Sequence, residues 1–384
     1  MEEKNIQQIL LEILYATVNE QANSAAVAQK LTPDVILPVY RLAKKHDLGH
    51  LVAEFVYQNK IAVDGELKAA LQKTALTAVY RHERMRYAYA QICKAFEEAG
   101  IAYIPLKGAV LRPYYPQESM RTSCDIDILV REEDLDAAIA CLERKDFTRG
   151  ERRYHDVSMY SPNKIHLELH FSILEDKDFL DAVLKDAWDY AEPVAGSRHG
   201  FKKEFFVFHM YAHMAYHFLS GGCGIRSLVD IWIMEHNMDA PYSCAKDLLK
   251  KAGILKFAEE MSGLASRCFT ENSRDAFSDM VLEYIYRGGV YGSLENSIAV
   301  HREKKGSSLR YFLERLFPPY RTILHTYSVL KKAPILLPVF WVVRWVQALF
   351  AGKSQRFAKE MTCAGNVTQD RIEEVKALCA RLGL

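Results

Sequence analysis

Apolar positions recur at helical spacing over the first hundred residues. Ile6, Ile9, Leu10, Ile13 and Leu14 form one stripe; Leu71, Ala75, Val79, Met85, Tyr89, Ile92 and Phe96 form another. Steps of three and four keep such side chains on one helical face. Gly100 follows the second stripe, where a helix commonly ends on a left-handed glycine. The period then shortens. Residues 101–106 read as a short buried strand, Lys107-Gly108 as a turn and 109–114 as the start of a helix. Residues 125–130 predict a second strand. Residues 132–144 predict an amphipathic helix with Leu135, Ala138, Ile139 and Leu142 on one side. The runs 157–160 and 165–171 flank Ser161-Pro162-Asn163-Lys164 and predict a hairpin. From Lys202 the pattern is helical again, interrupted by Pro318-Pro319, Pro334 and Pro338. The expected chain is α+β: an N-terminal helical region 1–99, a small mixed-sheet core 100–195 and a C-terminal helical region 196–384.

Composition narrows the function. The chain has 384 residues, 49% apolar and 26% charged, which excludes wholesale disorder. Fifty Lys and Arg against 49 Asp and Glu argue against a protein that coats duplex nucleic acid by neutralising phosphates. No basic segment followed by an apolar run opens the chain, so no secretory signal is predicted. None of the eight Cys has Cys-x-x-Cys spacing, and reduced thiols in the cytoplasm are expected. The most apolar segment is 333–350. Its charge-free run stops at Arg344 and holds two prolines, short of the about 20 residues a spanning helix needs. A buried or interfacial helix is expected. Trp341 and Trp345 are assigned to core packing, with weak peripheral membrane contact as the secondary reading.

The informative stretch is Asp125-Ile126-Asp127-Ile128-Leu129-Val130. In a strand, Asp125 and Asp127 share a face, about 6–7 Å apart along the backbone. The bland reading is a strand end with two solvated carboxylates. In His166-Leu167-Glu168-Leu169-His170, polar and apolar positions alternate, so Glu168 would supply a third carboxylate if the two strands pair. Three hard oxygen ligands suit Mg²⁺. Without a cation the three should repel one another, so removing one should leave the fold unchanged or steadier. Lys107-Gly108 sits at a strand-to-helix turn upstream, a place for a phosphate.

These residues resemble a family. Leu106-Lys107-Gly108-Ala109, Tyr115-Pro116, Arg121, the 125–130 strand and Glu168-Leu169-His170 are similar to the uncharacterised bacterial nucleotidyltransferases of the polymerase-β-like superfamily. So are residues 224–231 and the proline-rich stretch near 317–338, and the likeness covers roughly 98–350. It implies a polymerase-β-like nucleotidyltransferase core. Asp125, Asp127 and Glu168 would be catalytic and would hold two Mg²⁺ ions, with Mn²⁺ as a substitute. An NTP, ATP by expectation, would lose pyrophosphate as its NMP passes to an unidentified small-molecule or protein acceptor. Lys107 and Gly108 stand where the superfamily usually has Gly-Ser; with Arg121 they are the expected phosphate contacts. That departure keeps open an alternative: an inactive nucleotide-binding regulator or scaffold.

Three further cleft contacts are expected: His170, His213 and Arg226. His209, His213 and His217 fall four apart and could pair on zinc, but no His-Glu-x-x-His accompanies them and apolar residues interleave. A helix lining the cleft without a tight metal site is expected. Arg226 and Asp230, one turn apart, suggest a structural ion pair.

Overall fold

The computed structural model of the chain describes residues 3–20, 22–175, 177–271, 273–290, 292–305, 313, 316–320, 323, 327–350, 363 and 367–384. The protein is mixed α+β, with helices from both ends flanking a central sheet. Its strands are β1 (Tyr103–Pro105), β2 (Asp125–Val130), β3 (Thr148–Arg152), β4 (Asp156–Tyr160), β5 (His166–His170), β6 (Ala191–Ala195) and β7 (Arg198–Phe201). Their spatial order is β3-β4-β5-β2-β1-β7-β6. β2 runs parallel to β5 and antiparallel to β1. The predicted hairpin is β4–β5: Ser161 N–H donates to Ile165 O at 2.9 Å, and Lys164 takes a positive φ of 59°. Three strands, β3, β6 and β7, carry no apolar alternation and were not expected.

Period-two alternation splits the sheet into two faces. Ile126, Ile128, Val130, Leu167 and Leu169 pack against Met85, Ile92 and Phe96 of helix Gly65–Ala99 and against Leu135, Ile139 and Leu142 of helix Leu135–Glu143. Ile104 and Leu129 turn the other way, into a larger helical core. That core is built from both ends of the chain. Leu10, Ile13 and Phe55 sit among Phe218, Ile233 and Leu282. Tyr286 Oη donates to Gln7 O at 3.2 Å and Trp232 Nε1 to Asn19 Oδ1 at 3.0 Å.

Helix Gly65–Ala99 bridges the two cores. Asp64 caps it by accepting from Leu67 N–H at 2.7 Å, and Gly100 ends it at φ 63°. Its Leu67 and Leu71 belong to the helical core, its residues from Met85 onward to the sheet core. Val79, expected on the buried stripe, lies between and is 49% exposed. The buried stripe is straight and runs through Leu71, Ala78, Met85 and Ile92, seven residues apart, so one face serves both cores and Val79 falls about 100° off it.

Buried imidazoles make the fold acid-sensitive. His46 is fully buried, and burial followed by Lys45 pushes its pKa down to about 4 from 6.5. Between those values the unfolded chain binds a proton that the fold excludes. Stability is therefore full above pH 6.5 and falls as pH drops toward 4. Urea melts should show a loss of about 2 kcal/mol from His46 alone between pH 7 and pH 5. Equal midpoints at both pH values would contradict this.

Candidate functional site

The strand pairing assembles the acidic residues. On β2 and β5, Asp125 stands opposite His166, Asp127 opposite Glu168 and Leu129 opposite His170. Alternation sends the polar member of each step to the face that meets the helical core. Ligand atoms of Asp125, His166 and Glu168 lie within 4.8 Å of one another, and so do those of Asp127, Glu168 and His170. Glu168 belongs to both groups.

Asp127 is not a bare carboxylate. Lys107 follows β1 at φ 44°, a conformation costly for a residue with a side chain. Leu106 N–H donates to Asp127 O at 3.1 Å and ties this turn to β2. Lys107 Nζ then reaches Asp127 Oδ1 at 3.2 Å, and His170 Nε2 lies 3.1 Å from the same oxygen. Burial alone would raise the Asp127 carboxyl. Lys107 and then His170 outweigh it and hold the group well below the usual carboxylate range. For Asp125 the balance is reversed: burial first, then Asp127 and Glu168, push it up against the weaker pull of Lys107 and His166. Mutual repulsion thus describes Asp125 but fails for Asp127, because a lysine 20 residues upstream supplies the missing cation.

Gly108 has a steric reason of its own. A Cβ there would come within 2.9 Å of Arg121 Nη1. The helix it opens, Gly108–Leu111, is only one turn long, so the charge at this turn comes chiefly from the Lys107 ammonium. Arg121 itself is buried and engaged. Its Nε and Nη2 donate to the two Asp230 oxygens at 3.0 and 2.9 Å, and Tyr115 Oη donates to Asp230 at 2.6 Å. Asp230 therefore pairs with Arg121, not with Arg226 one turn away. Arg226 donates to Thr122 O at 3.1 Å and lies 3.5 Å from Asp47. A cation overlooked in the sequence, Arg112, lines the same cavity and donates to Ser123 Oγ. Burial followed by neighbouring Arg121 brings its pKa down to about 10.

The cavity holds about 310 Å³. Lys107, Asp127 and Glu168 line it from the sheet; His209, His213 and His217 line it from helix Lys203–Leu219. Among the described residues these three imidazoles join no group of three metal-ligating side chains. Two of them form a chain: Glu175 Oε1 lies 3.0 Å from His213 Nδ1, and His213 Nε2 lies 3.0 Å from His217 Nε2. Burial pushes Glu175 up to about 7 and His217 down to about 4. Burial, then Lys107 and His217, hold His213 well below its ordinary value. Glu175 sits in a loop without periodicity, so nothing in the sequence singled it out.

The family model described as "Uncharacterised nucleotidyltransferase" matches residues 36–270. That is more than half of the chain, and the chain belongs to this family. The matched span includes all seven strands and the helix that bears the three histidines. No curated protein and no solved structure matches the chain.

Proposed function

We propose that this nucleotidyltransferase moves an NMP from an NTP, with ATP as donor, to a hydroxyl group of a small-molecule or protein acceptor. Pyrophosphate is released and Mg²⁺ is required. The observation that carries the reading is Glu168, shared by two ligand groups on adjacent parallel strands that line a cavity. The donor set fits the metal: hard carboxylate oxygens dominate, and burial, then Asp127 and Glu168, raise Asp125, a cost that a cation would offset. Asp125, Asp127 and Glu168 would hold the ions, and Mn²⁺ suits the same set. When bound, the ions supply neutralisation of the triphosphate charge.

The chain's own residues do the rest. Lys107 and Arg112 add positive charge on the phosphate side of the cavity. Glu175, braced by His213, takes the acceptor's proton. The acceptor O–H bond breaks and its oxygen bonds to the α-phosphorus. The α–β bridging P–O bond breaks, and pyrophosphate leaves with the electron pair. Lys107 and His170 favour ionised Glu175, while burial, Asp181 and Asp127 oppose it. The base form grows as pH rises through about 7, so kcat should rise there and level off. Glu175→Gln should lower kcat about 10²-fold and flatten that limb. An unchanged profile would remove Glu175 from the mechanism.

Each α-³²P-labelled NTP, incubated with Mg²⁺ and a cell lysate, tests the function. Label should move to an acceptor with the wild-type chain and not with Glu168→Gln. The Lys107–Asp127 pair favours a second reading, nucleotide binding without turnover. Tight NTP binding in dialysis with no transferred label would decide for it.

A further inference from the structure

Charge is unevenly spread along the chain. Residues 315–359 contain eight Lys or Arg and no Asp or Glu. The remainder carries 42 Lys or Arg against 49 Asp or Glu. Within the basic span, helix Leu337–Phe350 turns an apolar edge to solvent. Val339, Val342 and Val346 are 54%, 51% and 45% exposed, and Ile335 in the turn ahead is 87% exposed. Steps of four, three and four residues align them on one face. The other side of the helix is docked. Trp341 Nε1 donates to Pro318 O and Trp345 Nε1 to Leu316 O, both at 2.9 Å, and each ring meets Phe317 edge-on at 5.2 Å. The tryptophans that suggested membrane contact in the sequence therefore face the protein, and valines face outward. Among the described residues no helix is long and apolar enough to cross a membrane.

We propose that this face docks the protein on the surface of an anionic phospholipid bilayer. The helix lies in the interfacial plane, with Ile335, Val339, Val342 and Val346 below the headgroups and Lys332, exposed in the turn ahead of the helix, near lipid phosphates. Charge complementarity selects this occupant. A second copy would bring two acid-free basic segments together. An anionic surface attracts this segment and repels the acidic remainder. The inference rests on no reading of the cavity.

Co-sedimentation of the full-length protein with vesicles tests it. Phosphatidylcholine vesicles with about 30 mol% phosphatidylglycerol should bind the protein at least about tenfold more tightly than phosphatidylcholine alone. Added salt should erase much of the difference. Val342→Asp should reduce binding about tenfold or more, and Lys331→Gln with Lys332→Gln should remove most of the anionic preference. Leu76→Asp, on an exposed apolar position of the bridging helix, should bind like wild type. Melting temperatures of the variants, matched to wild type, exclude misfolding as the cause of lost binding. Three results would overturn the proposal: no binding to anionic vesicles, undiminished binding by Val342→Asp, or a solution dimer that Val342→Asp dissociates.

Discussion

Asp127→Asn should cost the metal-free protein about 3 kcal/mol of stability, whereas Asp125→Asn should leave it unchanged or raise it. The two residues share a strand face, so chemistry alone does not distinguish them. Their surroundings do. Asp127 neutralises Lys107 at 3.2 Å, and losing its charge strands an ammonium whose side chain is only 17% exposed. Asp125 carries a charge that burial, Asp127 and Glu168 all oppose, so an amide there relieves strain. Both variants should nonetheless lose the thermal shift produced by Mg²⁺ with NTP, because a ligand stabilises only a fold that binds it. Scanning calorimetry with and without Mg²⁺–NTP makes the comparison. Equal metal-free melting temperatures for the two variants would mean that Lys107 does not depend on Asp127. An intact ligand shift in both would end the proposed metal role.

Asp230→Asn is the second large effect. It removes the carboxylate that receives two guanidinium bonds and a tyrosine hydroxyl in a site where Arg121 is 7% exposed. Breaking a buried pair from one side typically costs about 3–5 kcal/mol. Arg121→Lys should cost nearly as much, because an ammonium cannot make the two-pronged contact. The KM for NTP in the folded fraction should stay close to wild type. If Arg121 instead binds phosphate, Arg121→Lys raises KM with little change in melting temperature. The pair of readouts separates a brace from a ligand.

What could be read from the sequence was local. Alternation along 125–130 and 166–170 gave both the strands and the shared face of Asp125, Asp127 and Glu168. The hairpin turn and the glycine after helix Gly65–Ala99 were legible because turn chemistry acts over a few residues. Edge strands were not. All five residues of β3, Thr-Arg-Gly-Glu-Arg, are exposed, and β6 contains Pro193. Charge and proline are how edges resist further pairing, and they erase the apolar signature of a strand. Partnerships across the fold were equally hidden. Arg121 finds Asp230 109 residues away, and Glu175 finds His213 38 residues away. Residues 306–312 and 351–362, within the expected C-terminal helical region, lie outside the described residues.

The helical core, sewn from both ends of the chain, sets a timetable for synthesis. Leu10, Ile13 and Phe55 leave the ribosome early, but their partners Phe218, Ile233 and Leu282 follow about 160–270 residues later. At about 5–20 residues per second, the first helices can pack on one another but wait from several seconds to nearly a minute for these later residues to complete their core. The sheet, whose strands fall between, can form in that interval and become the platform on which the two ends meet. A nascent chain stalled before residue 205 should therefore hold a protease-resistant sheet and leave Glu3–Val18 open to cleavage.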